Sequence, residues 1–202
     1  MQPKAKLVAS PEVEIVDFSP LKHGEGYDII RELYFEDGGK AIRAQLAASG
    51  EDVLVLMEWV IAPPHMQDHD TTLLWVLHAW RNVFHQAYSD HWRAADCDVV
   101  LSLPFPGPAN PHDTAKYWGY TAIWNLLDYP GIVFPSGIVV DPAVNVADAA
   151  AQPASPADMY NQSIYDPQVM IGAPINLQLT ARCFDDTMLM AAQEVVERIL
   201  KA

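Results

Sequence analysis

Between Pro111 and Gly137 the chain reads P-H-D-T-A-K-Y-W-G-Y-T-A-I-W-N-L-L-D-Y-P-G-I-V-F-P-S-G, and no other stretch restricts the fold as much. Tyr117, Trp118, Tyr120, Trp124, Tyr129 and Phe134 crowd into it, punctuated by Gly119, Pro130, Gly131, Pro135 and Gly137. Aromatic rings combine large apolar area with, in Tyr and Trp, a polar tip, while Gly and Pro fix close backbone approach. Such a segment suits a core that also lines a cavity.

Around it, helical and strand patterns alternate. Val13 to Phe18 has the β-branched alternation of a short strand, closed by Ser19-Pro20. Tyr27 to Phe35 reads as a helix ended by Asp37-Gly38-Gly39, and Lys40 to Ala48 as a second, stopped by Gly50. Val53 to Ile61 is a continuous apolar run whose type periodicity leaves open. The longest helix is expected from Asp70 to about Ala94, with Leu73, Leu77, Trp80, Phe84, Ala87 and Tyr88 as its apolar stripe.

Asp98 to Leu103 reads as a buried strand and Tyr117 to Leu127 as a helix. Tyr129-Pro130-Gly131 then turns the chain into a strand pair, Ile132 to Phe134 and Ile138 to Val140. Small residues and prolines without apolar period make 141–158 an exposed loop. A last strand covers Ile175 to Thr180, and Asp185 or Asp186 caps a final helix whose Leu189, Val195, Val196, Ile199 and Leu200 face the core. The alternation argues an α/β fold, and 202 residues argue a single domain spanning 1–202.

Half of the residues are apolar and 19% are charged, a globular composition. The formal net charge of -14 disfavours nucleic acid or an anionic membrane surface as partner, since both require concentrated basic residues. Two cysteines, Cys97 and Cys183, are too few for a disulfide framework and fit a reducing compartment. With no signal-like apolar run after Met1 and no segment of spanning length, the expected location is cytoplasmic.

The same aromatic stretch closely resembles the carboxyl-terminal part of the amidase signature family, in its fungal acetamidase-like branch. The resemblance continues in Y-D-P-Q-V-M-I-G-A-P-I-N-L-Q-L-T-A-R-C-F-D-D (Tyr165 to Asp186) and, upstream, in L-Y-F-E-D-G-G-K, D-H-W and L-P-F-P-G-P-A-N-P-H-D. It implies a truncated amidase-signature-like mixed sheet flanked by helices. Family members are more than twice this length, and their Ser, Ser and Lys catalytic residues belong to the portion that would precede Met1. No Ser-Ser pair occurs here, and Gly38-Gly39 is followed by Lys40 rather than by serines. None of the family's triad transfers. Pro130, Gly131, Ile132 and Val133 correspond to a segment that passes near the acyl pocket in relatives, and the resemblance implies them as pocket lining.

Five of the seven histidines lie between His65 and His91. His65 and His69, interleaved with Asp68 and Asp70, have two ligands at helical spacing but no third, so the expectation is a solvated helix start and no metal. His78, His85 and His91 form a row read as exposed or core-satisfied rather than as acid/base groups. His112-Asp113 adjoins the aromatics. A carboxylate-oriented imidazole could move a proton while Tyr117, Tyr120 or Tyr129 donates to a substrate oxygen, although P-H-D also belongs to the family pattern in a structural role.

Two functions follow from different classes. The first is a repurposed, cofactor-independent protein that binds and transforms a small organic molecule, a fungal secondary metabolite, by cyclisation, isomerisation or dehydration. His112, Asp113 and Tyr117 would be catalytic, and Trp118, Tyr120 and Trp124 would line the site beside residues 130–133. The second is a non-catalytic amidase-like remnant acting by binding or assembly. Ancestral hydrolysis would require Cys97 or Cys183 as nucleophile, and neither has a His beside it in sequence. Loss of more than half an α/β domain also exposes an apolar face, which predicts a homodimer or partner chain burying the aromatic stretch.

Overall fold

The computed structural model describes residues 2–63, 66–148 and 150–202, in which eight helices flank a small sheet. Helices α1 (Gln2–Ala9), α2 (His23–Tyr34), α3 (Lys40–Ser49), α4 (Val55–Val60) and α5 (Thr71–Ala95) come first. Strand β1 (Val100–Ser102), helix α6 (Gly119–Leu127), strand β2 (Gly131–Val139), helix α7 (Pro156–Ser163), strand β3 (Pro174–Thr180) and helix α8 (Asp186–Lys201) follow. The expected mixture of helix and strand holds, and within this chain the strands pair antiparallel in the order β1-β3-β2.

Alternation along β3 sorts its residues between two faces. Leu177 and Leu179 pair with Phe134 and Ile132 of β2 and pack with Leu189, Val196, Ile199 and Leu200 of α8 and Leu7 of α1. Lys6 of α1 donates to Leu200 O at 2.7 Å, placing a cation at the carboxyl end of α8. On the other face Gln178 is buried and donates through Nε2 to Tyr120 O at 3.2 Å and Ser102 Oγ at 3.3 Å, tying α6 to the middle of the sheet.

A second core lies among α2, α5 and α6, built from Tyr27, Ile29, Ile30, Phe84, Tyr88, Trp92, Ile123, Trp124, Leu126, Leu127 and Tyr129. Close crossing depends on Gly26, where a Cβ would stand 2.4 Å from Ile123 Cδ1 and 2.7 Å from Phe84 Cζ. Arg81 of α5 donates from Nε to Leu126 O at 3.1 Å and pairs with Asp128, satisfying the end of α6.

Several expectations are corrected. Val13 to Phe18 forms no strand and belongs to no ladder. The supposed strand pair is the single strand β2, whose pairing shifts between Pro135 and Ile138 around Gly137 at φ 81°. Asp70 does cap α5, its carboxylate accepting from Leu73 N at 2.8 Å. The buried side of α5, however, carries Leu77, Phe84, Tyr88 and Trp92, while Leu73, Trp80 and Ala87 face outward. This helix is apolar on two sides, and period alone does not say which side α2 and α6 cover. Trp124, Tyr129 and Phe134 are buried within the chain, whereas Tyr117 and Trp118 are half-buried and Tyr120 is exposed.

Candidate functional site

The loop before α6 is fixed by its own side chains. Thr114 Oγ1 donates to Pro111 O at 2.7 Å, and Asn110 Nδ2 and Tyr160 Oη donate to Thr114 O at 3.3 and 3.0 Å. Asp113 takes the left-handed conformation at φ 62°, one of the few non-glycine residues here to do so. His112 is exposed on this loop and, with Asn110, Met170 and Ile171, lines an open groove of about 450 Å³.

Tyr117 is half-buried, its ring centroid 5.0 Å from that of Tyr27 and 6.0 Å from that of Tyr120. Its hydroxyl lies over Gly119, where a Cβ would come within 2.4 Å, and burial holds the phenol above its ordinary pKa. It therefore stays protonated and able to donate. Trp124 belongs to the core, Trp118 packs on Tyr27 and Tyr34, and Tyr120 is exposed. Pro130 and Ile132 are half-buried, and Gly131 and Val133 are exposed. Of all the residues expected in a site, His112 alone lines either of the two grooves described here.

The larger groove, about 1560 Å³, lies between the segment 12–18, β1 with its flanks, and α8. Val13, Ile15, Leu101, Leu103, Val139 and Val195 give it an apolar lining, edged by Glu12, Asp17, Asp96 and Asp98. Among the described residues β1 pairs with β3 alone and ends the sheet order, so its other side is an open strand edge.

The histidines are mostly occupied. The His69 ring is buried, with Nε2 3.0 Å from Glu32 Oε2 and Nδ1 3.3 Å from Glu36 O, which joins α2 to the entry of α5. His65, its expected companion, lies outside the described residues. His91 Nε2 is 2.7 Å from Ser19 O, His78 faces Glu36 at 3.5 Å, and His85 stands edge-on to Tyr129. The most perturbed histidine is His23, which sequence reasoning passed over. It shares a 2.8 Å hydrogen bond with Tyr88 Oη, and burial lowers its pKa to about 4. Only the glycines at 24 and 26 hinted at close packing there, and its partner is 65 residues away. Burial, with the Asp98 carboxylate adding to it, raises the Cys97 thiol above its ordinary value.

No helix among the described residues is long and apolar enough to cross a membrane. Residues 1–190 match the Amidase family. An amidase-named protein of Schizosaccharomyces pombe is 37% identical over 195 residues, covering 96% of this chain and 36% of the relative. An acetamidase of Emericella nidulans is 27% identical over 192 residues, covering 92% and 35%. The solved structure of a fatty acid amide hydrolase superimposes with a TM-score of 0.92 at 25% identity, over 99% of this chain and 36% of that one. The chain thus spans little more than a third of the length of the relatives it matches. Fold, sequence and matched residues agree: the chain belongs to the amidase family, of which it represents the carboxyl-terminal part.

Proposed function

We propose that this chain works by assembly, as the carboxyl-terminal portion of an amidase-type molecule whose hydrolytic serines and lysine come from amidase-family polypeptide outside these 202 residues. The observation that carries this reading is the large groove. Its volume of about 1560 Å³ exceeds the roughly 300–1,000 Å³ of small-molecule sites. It also runs along the free edge of β1, and an apolar channel beside an unpaired strand is suited to another strand with alternating side chains. Alone, the chain would then not hydrolyse amides.

The test is co-expression with the segment of the Schizosaccharomyces pombe relative that this chain does not cover. Co-purification, and hydrolysis of acetamide only when both are present, is the expected result. A folded chain that fails to bind that segment, or that hydrolyses acetamide unaided, would overturn the reading.

A second reading is supported by the smaller groove, whose volume of about 450 Å³ suits a small organic ligand beside the exposed imidazole of His112. Here the chain would bind a metabolite and transform it by proton transfer, with Asp113 and Tyr117 assisting and Trp118, Tyr120 and residues 130–133 shaping the approach. A mass-spectrometric screen for bound or converted metabolites tests it. Loss of conversion in His112→Asn and Tyr117→Phe would support the assignment, and unchanged conversion in both would remove it.

A further inference from the structure

Cys97 and Cys183 are the chain's only cysteines, one just after α5 and the other just before α8. The sheet brings their segments together. Along the antiparallel ladder Val100 faces Thr180, Leu101 faces Leu179 and Ser102 faces Gln178, each step back on β1 matching a step forward on β3. Continued outward past the pair of Val100 and Thr180, this register sets Val99 against Ala181, Asp98 against Arg182 and Cys97 against Cys183. Ala181 N donates to Pro130 O at 3.1 Å, so the chain leaving β3 keeps to the line of the sheet for the first of these steps.

Packing points the same way. Val99 and Ala181 both belong with the α8 core, whereas Cys97 and Cys183 both pack against the other core, the one that holds Trp92 and Tyr129. Trp92 Nε1 donates to Cys97 O at 2.8 Å, the Trp92 and Tyr129 rings meet edge to face at 5.4 Å, and the Tyr129 phenol feels the Cys183 sulfur. The Arg182 guanidinium acts on Cys97 and on Tyr129 alike, so the corner that carries Cys183 adjoins both. Directly opposed residues of an antiparallel pair have Cα atoms about 4.5–5.5 Å apart, within the roughly 4.4–6.8 Å that a disulfide spans.

We propose that Cys97 and Cys183 are a redox-active pair that closes to a reversible intramolecular disulfide when it meets a low-molecular-weight disulfide such as oxidised glutathione. Cys97 acts second, because burial and the Asp98 carboxylate hold its thiol above the ordinary range. The Cys183 thiolate attacks one sulfur of the oxidant, the oxidant's S–S bond breaks, and one thiolate departs. The Cys97 thiolate then attacks the mixed disulfide at the Cys183 sulfur and expels the second thiolate. Two electrons pass from the protein to the oxidant, and the two thiol protons end on the two released thiols. In a reducing compartment such a pair stays open and closes only when the surroundings become more oxidising. The bond ties the exit of α5 to the entry of α8, and because Cys97 borders the large groove it also fixes that end of the groove wall.

The test treats the reduced, folded 202-residue chain with excess oxidised glutathione, quenches in acid, alkylates the remaining thiols under denaturing conditions, and reads intact mass and tryptic peptides. The expected product lacks two hydrogens, carries no glutathione, and joins peptide 94–116 to peptide 183–198. Dithiothreitol should restore the starting mass. The thermal midpoint of the oxidised chain should rise by roughly 5–10 °C, since the bond closes a long loop in the unfolded state. Cys97→Ser should instead hold one glutathione on Cys183. A wild-type chain that keeps both thiols, or that gains glutathione on each without the link, would overturn the proposal. So would a link that forms only in urea or only between two chains, because either would show that the folded register does not bring the two sulfurs together.

Discussion

His23 Nε2 and Tyr88 Oη lie 2.8 Å apart, joining the first turn of α2 to the core side of α5, with the two rings stacked at 5.7 Å. Burial keeps this imidazole neutral down to about pH 4, against about 6.5 for a free histidine. As pH falls, the unfolded chain binds a proton at this position before the folded one does. The contribution to stability is therefore complete above about pH 6.5 and is lost progressively toward pH 4. Allowing for the partial exposure of the ring, it amounts to about 2 kcal/mol. Urea unfolding at pH 7 and pH 4.5 should show a steeper acid loss for wild type than for His23→Gln; equal losses would refute the assignment.

Gly26 sits where α2 crosses α5 and α6, and the nearest atoms to an added Cβ are Ile123 Cδ1 and Phe84 Cζ. Alanine would gain about 1 kcal/mol of helix propensity but overpack this crossing by about 1–3 kcal/mol. Gly26→Ala should lower the unfolding midpoint, and adding Ile123→Val should recover part of the loss. Stabilisation by the single substitution would show that the crossing is loose.

Gln178 connects β3 to β1 and to α6 from a fully enclosed position. Gln178→Leu keeps similar bulk but removes the donor to Tyr120 O and Ser102 Oγ, and should cost about 1–2 kcal/mol in chemical denaturation. Gln178→Glu should cost more, since a carboxylate cannot donate to Tyr120 O without first taking up a proton. The reverse order would mean that bulk rather than the donor matters.

Cys97 is half-buried and its thiol is held above the ordinary range, chiefly by burial and then by Asp98. Iodoacetamide should alkylate it several-fold more slowly than a free thiol at pH 7.5, with the gap narrowing at higher pH, read by peptide mass mapping. Alkylation as fast as a free thiol would reopen a cysteine-based hydrolysis.

The helices at 40–49 and 119–127 and the capped start of α5 at Asp70 were legible because each has a local cause: an apolar period, a stop at Gly50, a carboxylate at the cap. The absence of a strand at Val13 to Phe18 was not, because its alternation states a tendency to extend and says nothing about whether a partner strand is present. Much the same holds for the site. P-H-D was legible as part of the family pattern in a structural role, yet whether His112 meets other chemistry depends on residues 169–173, more than fifty positions away.

The sequence by itself determined the family, the absence of its serine pair, and the aromatic segment as core, since residue identities and short-range spacing suffice for all three. Only the tertiary structure decided which side of α5 is covered, that His23 is a neutral buried partner of Tyr88, and that a groove lies along the free edge of β1. Those are properties of surfaces brought together from distant parts of the chain. An apolar side chain is equally willing to bury itself on either side of a helix until packing chooses one.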